Sequence, residues 1–462
     1  MRFTRRLLDR HLSAALAIVT CSVTAGAVAS CSSDGDDEID LHVSDAGPDA
    51  PMTDDASTLD DGASDPVESR DAGWFDGGPL PISCVSPPCA TSLVTTLGAI
   101  DADRSEGFCA LLGDGTAVCW GANGAGQLGR GQTDTEDSPT AARVAGLTDI
   151  VQLDHTCALS KSGAASCWGT GPYLRDDAGA VTTEREPVKL PIPPAKRVSK
   201  GPEVTCASVD DGLLCWGKNT FAQLAPIDSA PSWAELAPRA MPLPPGAPIR
   251  DVVVGGASFA LREDGSTLSW GANPPLARIT SLFPDPHPRA IALGHVSSID
   301  VTSNSACATA GGIGYCWGAS YEVVSGSQTN RPRLDRALPQ PVVAPEPLVG
   351  IATTRIIIKL VDAMLVVERP QRWCAVAASG AVYCWGYNAS GQAGDGTKDH
   401  AFEAVMVKGL PAPAAQVRTM LDSTCALLTT GKIYCWGSNY YGQLGSGKLK
   451  VPSLVPQEVV LP

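Results

Sequence analysis

The amino-acid sequence predicts an all-β fold made of repeated hairpins, and three observations support this prediction. A Trp-Gly pair recurs seven times after residue 79, and successive tryptophans lie 47 to 68 residues apart. Each pair ends a short apolar segment that follows a glycine-containing turn, which is typical of a β-hairpin. No segment of this region has helical periodicity over three turns. Seven copies of about 50 residues indicate a propeller or a solenoid.

The N-terminal residues predict an export signal rather than part of the fold. Four arginines in the first ten residues precede an uncharged, mostly apolar run from Leu12 to Ser30. An uncleaved membrane helix is the alternative, because the run approaches the ~20 residues that span a bilayer. Val28-Ala29-Ser30-Cys31 resembles the lipobox of bacterial lipoproteins, which implies cleavage before Cys31 and acylation of its thiol. We therefore expect a lipoprotein signal peptide at residues 1–30 and a lipidated Cys31 that holds the protein at the bacterial outer membrane or cell surface.

Residues 31–79 predict a disordered acidic tether. They contain fifteen Asp or Glu residues and a single Arg, and otherwise mainly small residues and proline. Such a segment buries too little apolar area to offset the entropy of ordering it. Most of the formal net charge of −15 belongs to this tether, so the remaining body is nearly neutral. A body without a basic stripe argues against nucleic-acid binding, which requires clustered Lys and Arg.

Several repeats continue past the Trp-Gly pair with Asn-x-x-Gly-Gln-Leu-Gly or a close variant. Full or nearly full forms begin at Asn123, Asn388 and Asn439, and a degenerate form begins at Asn219. This pattern resembles the repeat of the regulator-of-chromosome-condensation family over roughly residues 90–462. The resemblance implies a seven-bladed β-propeller, so we expect residues 80–462 to form one. The family's nucleotide-exchange activity on a nuclear GTPase does not suit an exported protein, and the resemblance therefore predicts the fold alone.

Two features of the repeat array predict how the ring is completed. Val451 to Val459 resembles the segment that elsewhere leads into the next repeat, whereas Leu97 to Ile100 resembles the residues directly after such a segment, so we expect one blade shared between the chain ends. The gap between Gly318 and Trp373 contains an insertion with two apolar runs, Ile356 to Ile358 and Leu365 to Val367. This insertion is either an extra hairpin on a binding face or a loop without function.

Twelve of the sixteen cysteines form pairs that bracket a hairpin turn. Facing positions on antiparallel strands are close enough for a disulfide, and the fourth repeat lacks both cysteines, with Phe259 and Ser269 in their places. Free thiols and metal ligation are the alternatives. We expect a seventh bridge between Cys84 and Cys89. The six predicted hairpin disulfides are Cys109–Cys119, Cys157–Cys167, Cys206–Cys215, Cys307–Cys316, Cys374–Cys384 and Cys425–Cys435.

The repeat tryptophans predict core positions, and no catalytic motif emerges. An indole at the end of each hairpin suits a buried wedge between blades better than a ligand platform. The six histidines, including His155, follow no metal-ligand spacing, and no phosphate loop or nucleophile elbow is present. We therefore expect no cofactor, no metal and no catalytic residue. The seven tryptophans are Trp120, Trp168, Trp216, Trp270, Trp317, Trp385 and Trp436.

The sequence thus predicts a non-catalytic, monomeric binding propeller at the cell surface. Its partner would be a protein or a polysaccharide, contacted through loops at one end of the ring. An inhibitor of a secreted enzyme is one alternative, because a secreted β-lactamase inhibitor is similar to this family. A polysaccharide-cleaving enzyme is the other, because turns such as Asp264-Gly265-Ser266 resemble the Asp-box of sialidases. Candidate contact residues are Tyr173, Phe221, Trp233, Tyr321, Tyr440 and Tyr441.

Overall fold

In a computed structural model of the chain, the described residues are 75, 77–84, 86–96, 105–131, 133–172, 181–210, 212–321, 332–361 and 364–462. The predicted signal peptide, Cys31 and nearly all of the predicted tether lie outside them. Within these ranges, no helix has the length and apolar character needed to cross a membrane.

The described strands form seven antiparallel four-stranded sheets and one two-stranded hairpin, which together make a seven-bladed β-propeller. In each blade the strands follow one another from the innermost to the outermost, and the hairpin β22–β23 lies within the chain of blade 6. The strands are, for blade 1, β1 (Ala90–Thr95), β2 (Gly107–Leu112), β3 (Ala117–Gly121) and β4 (Ser138–Arg143); for blade 2, β5 (Ile150–Asp154), β6 (Cys157–Ser160), β7 (Ala165–Pro172) and β8 (Val181–Lys189); for blade 3, β9 (Ala195–Lys200), β10 (Val204–Val209), β11 (Gly212–Lys218) and β12 (Glu235–Ala240); for blade 4, β13 (Ile249–Val254), β14 (Ala257–Arg262), β15 (Thr267–Gly271) and β16 (Asp285–Ala290); for blade 5, β17 (Val296–Val301), β18 (Ser305–Ala310), β19 (Ile313–Tyr321) and β20 (Pro332–Pro341); for blade 6, β21 (Leu348–Thr353), β22 (Ile357–Val361), β23 (Met364–Arg369), β24 (Arg372–Ala377), β25 (Val382–Gly386) and β26 (Ala401–Met406); and for blade 7, β27 (Ala414–Thr419), β28 (Ser423–Leu428), β29 (Ile433–Gly437) and β30 (Ser453–Glu458).

Burial within a blade explains the apolar runs of the repeat. The second strand is buried along its whole length, or nearly so, in six of the blades, as in β2 and β14, because neighbouring blades cover both of its faces. The outermost strand is largely exposed and polar, as in β12 and β16. A strand covered on both faces needs an uninterrupted apolar sequence, whereas a half-covered strand alternates.

The ring closes without a shared blade, so the predicted closure is wrong. The innermost strands contact one another in order around the ring, and β27 contacts β1. Residues of the predicted C-terminal half-blade instead form β30, the outermost strand of blade 7, while blade 1 begins with its own innermost strand β1. The Leu97–Ile100 segment lies outside the described residues. A sequence repeat can begin one or more strands away from the start of a blade, so the sequence pattern alone does not show where a blade begins.

A disulfide joins facing cysteines at each of the six predicted hairpin positions, with Cα atoms 4.1 or 4.2 Å apart. The strand register pairs the two cysteines directly, as for Cys109 and Cys119. In blade 4 the same register pairs Phe259 with Ser269. Cys84 and Cys89 are also bonded. Closing each hairpin in this way reduces the entropy of the unfolded chain.

The repeat tryptophans lie between blades, and their indole N–H groups are part of the contact. Trp168 Nε1 donates to Gln127 O of the preceding blade at 2.8 Å, and Trp436 Nε1 donates to Gln392 O at 2.9 Å. Trp120 of blade 1 donates to Gln443 O of blade 7 at 3.0 Å, which repeats the contact across the ring seam. Six of the seven tryptophans are buried as predicted.

Trp385 differs from the other six, and its predicted core position needs correction. It is half-buried, and its ring stacks on Trp373 of the same blade at a centroid distance of 6.1 Å. Arg372 of the same blade lies at the next junction, between blades 6 and 7, where its guanidinium is fully buried and donates to carbonyl oxygens of blade 7, including Met420 O. The second tryptophan, Trp373, gives the first one a partner within its own blade.

Candidate functional site at the loop face

The strand order gives the propeller two unlike ends. Because adjacent strands are antiparallel, the connections from first to second and from third to fourth strand emerge at one end, here named the loop face. The remaining connections emerge at the other end, the turn face. Connections at the turn face are two to eight residues long, whereas the third-to-fourth connections at the loop face are eight to sixteen residues long.

The predicted insertion lies at the loop face and forms an extra hairpin. Strands β22 and β23 pair in antiparallel fashion between the first and second strands of blade 6. Strands β19 and β20 of blade 5 are also the longest pair in the described part of the chain, and they extend toward the same end. Additions to the ring are thus concentrated at one face.

The asparagine and glutamine of the repeat hold the loop-face connections in shape. Asn439 Oδ1 accepts from Leu444 N at 3.0 Å, and its Nδ2 donates to Lys448 O at 2.7 Å. Gln443 Oε1 accepts from Tyr441 N at 2.8 Å. Asn123 and Asn388 make equivalent bonds in blades 1 and 6, and Asn219 does so in blade 3. Buried amides of this kind replace regular backbone pairing, so long loops are held rigidly.

Large apolar side chains are exposed on these rigid loops. Trp233 in blade 3 is 75% exposed, and Ile279 and Phe283 of the equivalent loop in blade 4 are 78% and 76% exposed. Tyr440 in blade 7 is 58% exposed and lies 4.8 Å from Tyr441 by ring centroids. The loops of two successive blades thus expose large apolar side chains, and exposed apolar surface of this kind is typical of interaction sites.

The structure separates the predicted contact residues into three groups. Trp233 and Tyr440 are exposed at the loop face, whereas Phe221 and Tyr441 are half-buried. Tyr173 and the side chain of Tyr321 lie outside the described part of the chain. Sequence analysis missed Ile279 and Phe283, although an apolar Ile-Thr-Ser-Leu-Phe run in place of the polar repeat consensus was a usable signal.

A central channel opens among the innermost strands, with a cavity volume of about 670 Å³. Its carboxylates mainly join neighbouring blades. Asp154 Oδ2 accepts from Lys200 N at 2.8 Å, and Asp300 Oδ2 accepts from Thr353 N at 2.7 Å. Burial raises the pKa of Asp251 and of Asp300. Gln152 makes a two-way amide contact with the backbone of Val198, so the channel wall is held together by polar contacts between blades.

Three buried charges lie between blades near the loop face. Desolvation lowers the pKa of Lys200 to about 7, and its Nζ donates to Thr156 Oγ1 at 2.6 Å and to Trp168 O at 3.0 Å. Glu106 of blade 1 accepts from Asp422 N at 2.6 Å and from Ser423 Oγ at 2.5 Å, both in blade 7. Burial, followed by the nearby Asp422 charge, raises the pKa of Glu106. Desolvation likewise lowers the pKa of Arg372 to about 10.

The histidines have structural surroundings where the structure describes them. His155 Nδ1 lies 2.9 Å from Thr95 O across the junction of blades 1 and 2, and His287 Nδ1 lies 3.0 Å from Asp285. His400 packs beside Tyr387. His11 and His42 lie outside the described residues. In the described part of the chain, no three His, Cys, Asp or Glu side chains are grouped so that they could hold a metal ion.

Comparison with known proteins identifies one matched repeat and short stretches of sequence similarity. The family model of the regulator of chromosome condensation (RCC1) repeat matches residues 421–443. A stretch of 74 residues, 16% of this chain, is 36% identical to the E3 ubiquitin-protein ligase MYCBP2 of Danio rerio. A stretch of 79 residues, 17% of this chain, is 35% identical to the ultraviolet-B receptor UVR8 of Arabidopsis thaliana. The chain spans 2% and 18% of the lengths of these two proteins.

Solved structures share the fold over most of the chain. Prp20p of Saccharomyces cerevisiae matches with a TM-score of 0.57 and 18% identity, covering 74% of this chain and 85% of that one. Human WBSCR16 matches with a TM-score of 0.57 and 17% identity, covering 75% of this chain and 95% of that one. At such identities the likeness concerns the fold. The matched repeat and the shared fold show that the chain contains an RCC1 repeat and is similar in fold to these β-propellers.

Proposed function

We propose that this protein is an exported, lipid-anchored propeller that binds a partner protein through its loop face and catalyses no reaction. The observation that carries the proposal is the concentration of long loops and the extra hairpin at one end of the ring, where the loops of blades 3 and 4 expose large apolar side chains. A rigid ring with loops built on one end is a common recognition scaffold.

A protein partner is favoured over a polysaccharide. Prp20p, which shares the fold, has been characterised for its binding to Gsp1p and histones, and yeast RCC1 has been solved bound to Kap60. Exposed Trp233, Ile279 and Phe283 also match the side chains that dominate protein interfaces, where a few large apolar anchors carry most of the binding energy.

Export and anchoring rest on the N-terminal sequence and the disulfides. Seven disulfides indicate an oxidising compartment, which agrees with export. Cys31 would carry the acyl chains, and the predicted tether, residues 31–79, would connect it to the propeller, against which Phe75 and Pro79 already pack. A Cys31→Ala variant is expected to leave the membrane fraction and to lose labelling by radioactive palmitate. Retention in that fraction would contradict a lipid anchor.

Two variants of the full chain test the binding proposal: a triple variant of the loop face and a double variant of the turn face as its control. Trp233→Ser, Ile279→Ser and Phe283→Ser together remove the apolar anchors of the loop face. Val343→Ser with Val460→Ser removes exposed apolar side chains at 93% and 69% exposure from the turn-face end. Proteins captured from the producing cells' surface by the unchanged chain should be lost with the triple variant and kept with the double variant. Equal capture by all three proteins would contradict the loop face as the binding surface.

A further inference from the structure

Residues 75–89, here named the clasp segment, run across the turn face of several blades. The ring of Phe75 lies against Gly312 in the turn between β18 and β19, so that a Cβ on that glycine would be 2.8 Å from the ring. Leu80 lies beside Gly380, in the corresponding turn of blade 6, together with Pro413. The segment therefore contacts blades 5 and 6 before it reaches blade 1, where the chain enters β1.

The end of the clasp segment joins blades 7 and 1. Ser83 N donates to Thr429 O at 2.7 Å in the turn between β28 and β29. Gly113 N of blade 1 donates to Cys89 O at 2.9 Å, and the following residue, Ala90, donates to Gly431 O of blade 7 at 2.9 Å. Ile82 packs against the apolar cluster that blades 7 and 1 share. The described residues of the clasp segment, which belong to no blade, are thus in contact with four successive blades.

The turn-face glycines fit this path. Gly312, Gly380 and Gly431 have φ values of 78°, 82° and 77°, a left-handed conformation that glycine adopts without strain. At Gly431 an added Cβ would overlap Cys89 Sγ. In blade 4 the corresponding Gly265 faces His295 of the chain's own next connection instead. The clasp segment therefore makes the close approach in blades 5 and 7, it shares the approach with Pro413 in blade 6, and in blade 4 it takes no part.

The seam between blades 7 and 1 joins the last blade to the first, and contacts at both faces of the ring hold it together. Blades 1 and 7 exchange no β-ladder, and their contacts at the loop-face end come from Glu106 and Trp120. The clasp segment supplies the contacts at the turn-face end. Pro79 also lines the central channel, which places the segment at the turn-face mouth of that channel.

We propose that residues 75–89 are an intramolecular clasp that closes the ring across the turn face. The clasp then occupies the turn face, and the partner is assigned to the loop face. Closure by the clasp is independent of the proposed function, whereas this assignment of the two faces rests on it.

Photo-crosslinking in the purified full chain tests the path of the clasp without disturbing the fold. A benzophenone amino acid at position 75 should crosslink to the turn around Gly312, and one at position 80 should crosslink to the turn around Gly380 or to Pro413. The same group at Val343, which is exposed at the turn face, serves as the control and should not crosslink to residues 75–89. Crosslinks from position 75 or 80 to loop-face peptides, or none to the propeller, would overturn the proposal.

Hydrogen exchange of an Ile82→Ser variant tests the closing role. Exchange should become at least tenfold faster in β1 and in β27 to β30, while β9 to β16 on the far side of the ring stay unchanged. Val343→Ser should leave both regions unchanged. Uniform acceleration or none in Ile82→Ser would contradict a seam clasp. These experiments need no partner, so they test the clasp even if partner capture fails. If the double variant Val343→Ser with Val460→Ser lost a captured partner, the assignment of the partner to the loop face would be wrong, but closure by the clasp would stand.

Discussion

Lys200 lies fully buried at the junction of blades 2 and 3, where charge is costly. Because its pKa is lowered to about 7 in the fold, the unfolded chain binds the proton more tightly between that pH and about 10. The unfolded state therefore holds more protons over this range, and folding stability rises as pH rises. Below pH 7 the penalty of the buried ammonium is fully present. Local sequence contains no hint of this burial, since a lysine at the end of a strand is ordinarily a solvated residue.

A Lys200→Met variant should remove this pH dependence. Between pH 7 and pH 9 the free energy of unfolding of the unchanged protein should rise relative to that of the variant by about 1 to 2 kcal/mol. Denaturant titrations at the two pH values measure the difference. Lys196→Met is the control, because Lys196 lies on the same strand but is exposed and paired with Asp210. Parallel pH profiles for the unchanged protein and Lys200→Met would contradict a lowered pKa.

The repeat tryptophans are not equivalent, and substitution should reveal the difference. Trp270 is fully buried, and its Nε1 donates to Gln223 O at 2.9 Å, whereas Trp385 is half-buried against Trp373. Trp270→Phe removes a buried hydrogen bond and leaves a void, so it should cost about 1 to 3 kcal/mol of stability. Trp385→Phe should cost under about 1 kcal/mol. Chemical denaturation of both variants compares them, and equal losses would count against the distinct role of Trp385.

At the scale of single elements, hairpins were the most predictable part of the molecule. A turn, two apolar runs and a facing cysteine pair lie within about a dozen residues, so sequence pattern and register constrain each other locally. The paired absence of cysteines in blade 4 coincides with the observed pairing of Phe259 and Ser269. Exposed loop residues were harder to predict. Trp233 and Phe221 occupy the same loop, and which of them is exposed depends on neighbouring blades rather than on local sequence.

Exposure predicts the order in which the disulfides are reduced. Cys84 is exposed, whereas both cysteines of a hairpin bridge such as Cys109–Cys119 are fully buried. Thiol–disulfide exchange needs a thiolate to reach a sulfur atom, so a mild thiol reductant should cleave Cys84–Cys89 first in the folded protein. Alkylation of released thiols followed by peptide mapping over time gives the order. Earlier release of Cys109 and Cys119 would contradict this prediction, and addition of denaturant, which removes the difference in exposure, is the control.

At the scale of the whole molecule, closure was the feature that sequence analysis predicted wrongly. Seven repeats implied seven blades. A sequence repeat and a blade have the same average length, but the first residue of a repeat is not the first residue of a blade. Whether the ends of the chain meet within one blade depends on pairing between strands more than 300 residues apart, which no local pattern records. In the structure, distant side chains perform this closure. Gln416 Oε1 accepts from Leu93 N at 3.0 Å, and Arg418 Nε donates to Leu93 O at 3.1 Å, so innermost strands of blades 7 and 1 are joined as other neighbours are.

Because each blade is complete in consecutive strands, the chain should tolerate a new starting point between blades. Pro462 lies near Cys84 and Cys89, so a flexible Gly/Ser linker of about twenty residues can join it to residue 75 and keep the clasp segment covalently attached. A permuted protein with new ends in the connection at residues 291–295 should fold and unfold in one cooperative transition, with a midpoint within several degrees of the unpermuted protein. Thermal denaturation followed by circular dichroism measures this.

New ends at residues 263–266 are the matched control, because they divide the β14–β15 hairpin of blade 4, which has no disulfide to hold its strands together. That protein should unfold at a clearly lower temperature, since closing the divided blade then requires strands from opposite ends of the chain to find each other. If both permuted proteins are equally stable, individual blades are not the units in which this ring is assembled.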